Sequence, residues 1–324
     1  MKKIFITGAC GFVGSHLAEM FVSLGYNVVA FDRYNNENNF GHLENSKYKN
    51  EMKIILGDIR DYDSVFNAMK GSECVIHLAA LIGIPYSYIS PLAYIKTNIE
   101  GTYNILETAK NLSFKQVIIT STSETYGTAQ YTPIDEKHPM VAQSPYAASK
   151  ISADQLSLSY FRAYNVPVKI IRPFNIFGPR QSLRAIIPTI ITQILGKKDY
   201  ITLGSLEVKR DFTYVSDACN AYLSLLNSPK FFGEVVNVGM NKNISINDLV
   251  NLISSKLKYK PPIKIDNKRV RPINSEVTNL ICDNEKIISL QTWKPQFNIS
   301  TGLDITIEWL KKNKDNYNIE HYYV

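Results

Sequence analysis

Gly8-Ala9-Cys10-Gly11-Phe12-Val13-Gly14 stands between a short apolar run, Lys3 to Thr7, and a longer patterned run that begins at Phe12. Glycines spaced GxxGxxG where a strand passes into a helix permit a tight turn and a close approach of backbone N–H groups to a pyrophosphate. The helix N-terminus adds a favourable partial charge for the same anion. Gly8, Gly11, Phe12, Val13 and Gly14 are therefore the expected dinucleotide cradle, with a plain tight turn as the bland alternative. A chain that opens this way is constrained to an α/β fold built on a parallel sheet.

The rest of the sequence keeps the alternation of short buried strands and helices that a parallel sheet requires. Strands are expected at Lys3 to Thr7, Asn27 to Asp32, Lys53 to Leu56, Cys74 to Leu78, Gln116 to Ser121 and Val168 to Arg172. Helices are expected at Phe12 to Leu24, Tyr62 to Met69, Pro91 to Leu112 and Pro145 to Tyr164, and the Asn-rich stretch Tyr34 to Asn50 reads as mostly loop. Beyond Pro173 the spacing loosens. Shorter helices are expected at Pro188 to Leu195, Ser216 to Leu226, Ile246 to Leu257 and Thr301 to Lys311, with strands near Tyr200 to Leu203 and Val235 to Val238. The fold class is thus α/β, a Rossmann-type doubly wound sheet with a smaller C-terminal substrate lobe. The division is 1–175 for the dinucleotide-binding domain, with returns from about 212–240, and 176–324 for the lobe over the carboxyl ends of the strands, where open α/β sheets bind ligands.

Composition removes several classes. Apolar residues are 45% and charged residues 20% of the 324, which suits a packed core and not a disordered chain. The formal charge of +7 comes from dispersed lysines, with no basic tail, so it suits a phosphate-bearing substrate better than a nucleic acid. Cys10, Cys74, Cys219 and Cys282 share no CxxC spacing, so zinc is not expected and the thiols should be reduced and packed. The apolar start is broken by Thr7 and Gly8, and no apolar run reaches membrane-spanning length; a soluble cytoplasmic protein is the expectation.

Asp32 ends the second strand at the distance where an acid accepts hydrogen bonds from the adenosine ribose and repels a 2′-phosphate, favouring NAD over NADP. Arg33 beside it is the residue type that accommodates such a phosphate. Asp58, with Ile59 next to it, either contacts the adenine or caps the helix that starts near Tyr62. Tyr146 and Lys150 lie at i and i+4 on one helix face. A phenol of pKa about 10 is a poor base at neutral pH. A neighbouring ammonium and an oxidised nicotinamide favour its phenolate, which can then take a hydroxyl proton while hydride leaves the same carbon. Thr122-Ser123-Glu124 follows the fifth strand. A carboxylate there can remove the proton next to a new ketone, with Thr122 donating to the carbonyl oxygen. For the departing hydroxyl, either Glu124 returns the proton it took or Ser123 relays one.

These residues, together with Arg172-Pro173-Phe174-Asn175-Ile176-Phe177-Gly178-Pro179-Arg180 and Arg210-Asp211-Phe212-Thr213-Tyr214-Val215, make the chain resemble the extended short-chain dehydrogenase/reductase family over nearly its whole length. Within it the chain resembles the nucleotide-sugar 4,6-dehydratases. The finer match, through Leu81 to Tyr88 and Arg184 to Pro188, is to the branch acting on nucleotide-linked N-acetylglucosamine for legionaminic acid synthesis. The resemblance implies that Leu78, Ala79 and Ala80 border the NAD and that Tyr86 and Ser87 touch the hexose. It implies further that Asn175 contacts the sugar diphosphate, and that Arg184, Arg210 and Arg271 lie near the phosphates and ribose. Thr97 and Asn98 start a stretch that flanks the nicotinamide in relatives. Many such dehydratases have Thr-Asp-Glu where this chain has Thr122-Ser123-Glu124, so the acid for the leaving hydroxyl is the open point. C4 epimerases of the family carry a small residue at the place of Glu124.

The expected activity is conversion of an NDP-hexose, GDP- or UDP-N-acetylglucosamine, to its 4-keto-6-deoxy form with NAD recycled. The rivals are a C4 epimerase or uronate decarboxylase on the same fold, and a non-catalytic NAD-sensing protein. A homodimer through a four-helix bundle from Tyr94 to Leu112 and Ile151 to Tyr164 follows from the resemblance; alternatively both helices only cover the sheet.

Overall fold

The computed structural model describes residues 2–313. The N-terminal strands and helices alternate: β1 (Lys3–Thr7), α1 (Phe12–Ser23), β2 (Asn27–Arg33), β3 (Lys53–Gly57), α2 (Tyr62–Met69) and β4 (Cys74–His77). Next come α3 (Ile84–Ile89), α4 (Pro91–Tyr94), α5 (Gly101–Asn111), β5 (Gln116–Thr120), α6 (Pro145–Tyr164), β6 (Val168–Pro173) and β7 (Asn175–Phe177). The remainder comprises α7 (Ile186–Leu195), β8 (Ile201–Leu203), β9 (Lys209–Tyr214), α8 (Val215–Asn227), β10 (Val235–Val238), β11 (Asn243–Ser245), α9 (Ile246–Leu257), β12 (Ile263–Ile265), α10 (Glu285–Ile288) and α11 (Ile299–Lys312).

The main sheet has seven parallel strands in the order β3-β2-β1-β4-β5-β6-β10. Its strands are apolar on both faces because helices cover both. Ile4 and Ile6 of β1 face one core with Leu17, Phe21 and Leu225, while Phe5 faces the other with Ile105, Leu106 and Leu158. The same alternation divides Cys74 and Ile76 from Val75, and Ile118 from Val117 and Ile119. β10 arrives from after α8 and pairs with β6, closing that edge of the sheet. β7, β9 and β11 form a separate three-stranded sheet, and β8 pairs with β12. All four cysteines are buried and free.

Local chemistry explains the helix ends. Ser144 caps α6 by accepting the Ala147 N–H, Pro145 takes the first turn, and Asn165 closes the helix in the left-handed region. Asp61, not Asp58, caps α2 by accepting from the N–H groups of Asp63 and Ser64, so the capping reading of Asp58 is not realised.

The single helix expected from Pro91 to Leu112 is three pieces. A π-helical stretch, Ile95–Glu100, separates α4 from α5. Buried Asn98 sits in it and grips Leu81 on both backbone groups (2.8 and 3.0 Å) and the Ser149 hydroxyl at 2.9 Å. Such widened turns are common at functional sites, and here one joins the end of β4 to α6. Of the short strands in the smaller sheets only β8 was expected; β7, β9, β11, β12 and α3 were not. In β9, Asp211 is fully buried and accepts the N–H groups of Met240 (2.8 Å) and Cys282 (3.1 Å). Burial pushes its carboxyl up to about 6. No described helix is long and apolar enough to cross a membrane, and no described cluster of His, Cys, Asp and Glu could hold a metal.

Candidate active site

The glycine turn lies at the carboxyl end of β1. Gly8 has φ +68°, and a Cβ on it would stand 2.9 Å from the Ala79 nitrogen; one on Gly14 would stand 2.0 Å from the Gly8 carbonyl oxygen. The turn is therefore pressed against the end of β4, at Leu78 and Ala79, with no room for side chains. Thr7 pins that contact. Its hydroxyl accepts the N–H groups of Leu78 and Ala79, both at 3.1 Å, and lies 2.7 Å from His77 Nδ1. Both lone pairs being used, the hydroxyl proton goes to His77, which must present an unprotonated Nδ1. His77 Nε2–H then donates to Thr102 Oγ1 (3.2 Å), which donates to the Asn98 carbonyl (2.6 Å). Burial is the main cause that pushes His77 down to about 3. The imidazole is a neutral linker between the glycine turn and the π-helical stretch.

Asp32, one residue before the end of β2, lies against the same turn and accepts the Cys10 N–H (2.6 Å) and the Arg33 N–H (2.7 Å). Burial raises its carboxyl, and these N–H groups oppose the rise. The Cys10 thiol is pushed up to about 12 by burial and by Asp32. Asp58 has both oxygens on Arg60, whose guanidinium holds the carboxyl below its ordinary range. Ile59 is buried, with its Cδ1 2.6 Å from where a Gly101 Cβ would stand.

α6 carries Tyr146 and Lys150 over the end of β5, and both are buried. Lys150 Nζ donates to the Thr120 carbonyl at 2.6 Å. Burial depresses the lysine and Asp154 opposes that. Burial is also the main cause that raises the Tyr146 phenol, which the Thr122 hydroxyl opposes and the Glu124 charge reinforces. The Thr122 hydroxyl thus favours the phenolate, and the Lys150 ammonium is positioned by the strand one helical turn away. The ring of Tyr94 meets Tyr146 edge-on at 6.2 Å.

β5 runs into a short 3₁₀ turn, Ser123–Tyr126, whose cap is Thr122 accepting the Glu124 N–H at 3.2 Å. Ser123 is buried in that turn. The Glu124 carboxylate lies 3.6 Å from Arg271 Nη1. Arg210, buried in β9, donates to Glu276 at 3.1 Å and to the Lys209 carbonyl at 3.0 Å. Asn175 donates to the Asp211 carbonyl at 3.4 Å. Tyr146 thus meets Thr122 and the charge of Glu124, Glu124 in turn lies near Arg271 and within the field of Arg210, and Lys150 is one helical turn from Tyr146 on α6.

Arg184 lies by Gly83 and Tyr94. Its Nη1 reaches within 3.7 Å of where a Gly83 Cβ would be, and its charge acts on Tyr94. Tyr86 is on this side, its ring 6.1 Å from that of Tyr94. Ser87 is buried and donates to the Ile84 carbonyl at 2.7 Å. Glu276 and Asp154 were not read from the sequence as part of the site. Asp154 had a signal, four residues beyond Lys150 on the same helix; Glu276 had only its place at the end of the loop Lys264 to Glu276, expected to shape the nucleotide pocket.

The strand order, the glycine turn after β1 and a Tyr-x-x-x-Lys pair on the helix over β5 define a Rossmann-type protein of the extended short-chain dehydrogenase/reductase class. A sequence profile described as GDP-mannose 4,6 dehydratase matches residues 5–306, and the chain belongs to that family. A putative UDP-glucose 4-epimerase of Methanocaldococcus jannaschii is 32% identical over 96% of this chain and 99% of its own length. A UDP-N-acetyl-α-D-glucosaminuronate decarboxylase of Bacillus cytotoxicus is 32% identical over 96% and 98%. The crystal structure of dTDP-glucose 4,6-dehydratase from Bacillus anthracis in complex with NAD superposes with a TM-score of 0.87 at 25% identity, covering 97% of this chain and 98% of that one.

Proposed function

We propose that this chain is an NAD-dependent 4,6-dehydratase of a nucleotide-linked hexose, GDP- or UDP-N-acetylglucosamine, acting in the cytoplasm on the way to legionaminic acid. The observation that carries the reading is the Glu124 carboxylate, which stands in the cleft of Tyr146 with two arginines beside it. An epimerase needs no second base next to C4, whereas elimination across C5 and C6 does.

The residues fit NAD. The turn at Gly8 leaves a side-chain-free cradle for a pyrophosphate, and Asp32 supplies the acid for the ribose with Asp58 and Ile59 at the adenine end. NAD⁺ held by these residues would supply a hydride acceptor for C4 and, once reduced, a hydride donor for C6. Tyr146 takes the C4 hydroxyl proton, Thr122 donates to the developing carbonyl oxygen, and Lys150 supplies positive charge at the base of the cleft. Glu124 removes the C5 proton, and the C6 hydroxyl leaves as water with a proton from Glu124 or through Ser123; after hydride adds at C6 the resulting enolate regains a proton at C5, which balances the one Tyr146 took from the C4 hydroxyl. Arg210, Arg271 and Asn175 bind the diphosphate, for which the guanidinium fork is suited. Tyr86 and Ser87 border the hexose.

A Gly8→Ala variant should bind NAD at least about tenfold more weakly, because the left-handed backbone and the Ala79 nitrogen both reject a Cβ. Titration by nucleotide fluorescence checks this, with far-UV circular dichroism confirming the fold. Unchanged affinity would remove the cradle role.

Incubating the protein and NAD with GDP-, UDP- and dTDP-linked hexoses, N-acetylhexosamines and uronates, and reading product masses, tests the reaction. Loss of one water from an N-acetylglucosamine nucleotide is the expected result; a change of configuration without change of mass would make the chain an epimerase. The second reading, decarboxylation of a uronate, is favoured by Arg184, whose side chain has no ion-pair or hydrogen-bond partner among the described residues and stands near Tyr94. Loss of carbon dioxide from a uronate nucleotide would establish it. We also propose a homodimer through Leu92, Ile95, Tyr103 and Tyr164, which are exposed along the α4–α5 and α6 face; sedimentation as a monomer at micromolar concentration would exclude it.

A further inference from the structure

Arg271 is held between two carboxylates and hydrogen-bonded to neither. Its Nη1 lies 3.6 Å from Glu124 Oε2 and 3.9 Å from Glu276 Oε1, and that nitrogen is buried without a hydrogen-bond acceptor. The other arginine of the cleft is different. Arg210 is anchored, with Nη1 on the Lys209 carbonyl and Nη2 on Glu276 at 3.1 Å. Glu276 therefore satisfies Arg210 and attracts Arg271 only at longer range.

The segment that carries Arg271 is tied down a few residues beyond it, at Asn274 and Ser275. Ser275 Oγ donates to the Gln143 carbonyl (2.5 Å) and meets the Tyr88 hydroxyl (2.5 Å), and Gln143 Nε2 donates to the Asn274 carbonyl at 3.0 Å. The backbone is thereby fixed while the guanidinium has an unmet hydrogen-bonding capacity. A buried donor in that state gains strongly from any acceptor that reaches it.

We propose that Arg271 is a shared cation, paired with Glu124 when no nucleotide is bound and drawn onto the diphosphate when the nucleotide sugar arrives. This rests on the nucleotide-sugar reading given above. A diphosphate offers a planar fork several acceptor oxygens in bidentate geometry, whereas Glu124 holds it only at ion-pair distance. The transfer leaves Glu124 free to take the C5 proton once the sugar is seated. Binding of the non-reacting end of the substrate thus prepares the group that acts at the reacting end, which is how remote binding energy aids catalysis.

Because binding and pairing compete for one guanidinium, the two are linked and the linkage can be read without turnover. The measurement is calorimetric titration of the NAD-loaded protein with GDP and with UDP. Glu124→Gln should bind the favoured nucleotide about fivefold more tightly than the wild type. In an Arg271→Met background the same Glu124→Gln change should alter affinity by less than about twofold. Arg271→Gln, which also removes the charge, replaces the Met variant if circular dichroism shows that the latter is unfolded, with the same loss of the gain expected. Unchanged or weaker binding by Glu124→Gln overturns the proposal. An equal gain in both backgrounds also overturns it, since that is repulsion between Glu124 and the diphosphate without Arg271. If neither nucleotide binds the wild-type protein, the nucleotide-sugar reading itself falls.

Discussion

Glu124→Gln should leave oxidation at C4 measurable, as a transient rise of reduced cofactor, and slow exchange of the C5 proton into heavy water by about 10²- to 10⁴-fold. Gln keeps the size of the side chain and removes only its basicity, so the 3₁₀ turn capped by Thr122 should survive. Arg271 and Arg210 lose a countercharge in this variant but keep Glu276. Mass spectrometry of recovered nucleotide sugar after incubation in heavy water gives the exchange directly. Unchanged exchange would remove Glu124 from the base role and leave Tyr146 or an unassigned group. The separation of steps is what identifies the role: loss of both C4 oxidation and exchange would point to misplacement of the sugar.

Asp154→Ala should destabilise the protein by about 3–5 kcal/mol, the range for breaking a buried pair by removing one partner. Asp154 and Arg172 are both almost fully buried, with Asp154 Oδ2 accepting Arg172 Nε at 3.1 Å and Nη2 at 2.8 Å. The same oxygen accepts the Ser121 hydroxyl at 2.6 Å. Alanine would leave a guanidinium in the core with only the Tyr126 ring and the Met140 sulfur as neighbours. The effect should reach the chemistry too, because Asp154 is the charge that opposes the depression of Lys150 by burial. Its loss lowers the lysine further, so the alkaline limb of the activity profile should move to lower pH. Urea denaturation checks the first effect and a pH–rate profile the second; a cost under about 1 kcal/mol would show that water replaces the carboxylate.

What could be read from the sequence was what local sterics and two-sided burial dictate. Gly8 and Gly14 are required by contacts with backbone a few residues away or across one strand pair. β1, β4 and β5 are unbroken apolar runs because both faces are covered, and Ser144-Pro145 announces α6. Tyr146, Lys150 and Glu124 were visible because residue type and order sufficed. The remaining parts depend on partners far along the chain. Met240 and Cys282 bring N–H groups to Asp211, and Glu276 meets Arg210 across 66 positions. The π-helical stretch was missed because its cause, the grip of Asn98 on Leu81 and Ser149, is tertiary. Arg184 is expected near the phosphates with Arg210 and Arg271; that its Nη1 lies beside Gly83 is a matter of tertiary placement.

β10 comes late in the chain but lies next to β6 in the sheet. During synthesis the ribosome therefore releases a nascent sheet whose β6 flank stays open until Val238 emerges, and an open flank invites pairing with a neighbouring chain. Premature termination between β6 and β10 should for that reason yield aggregates, not a smaller dinucleotide-binding protein.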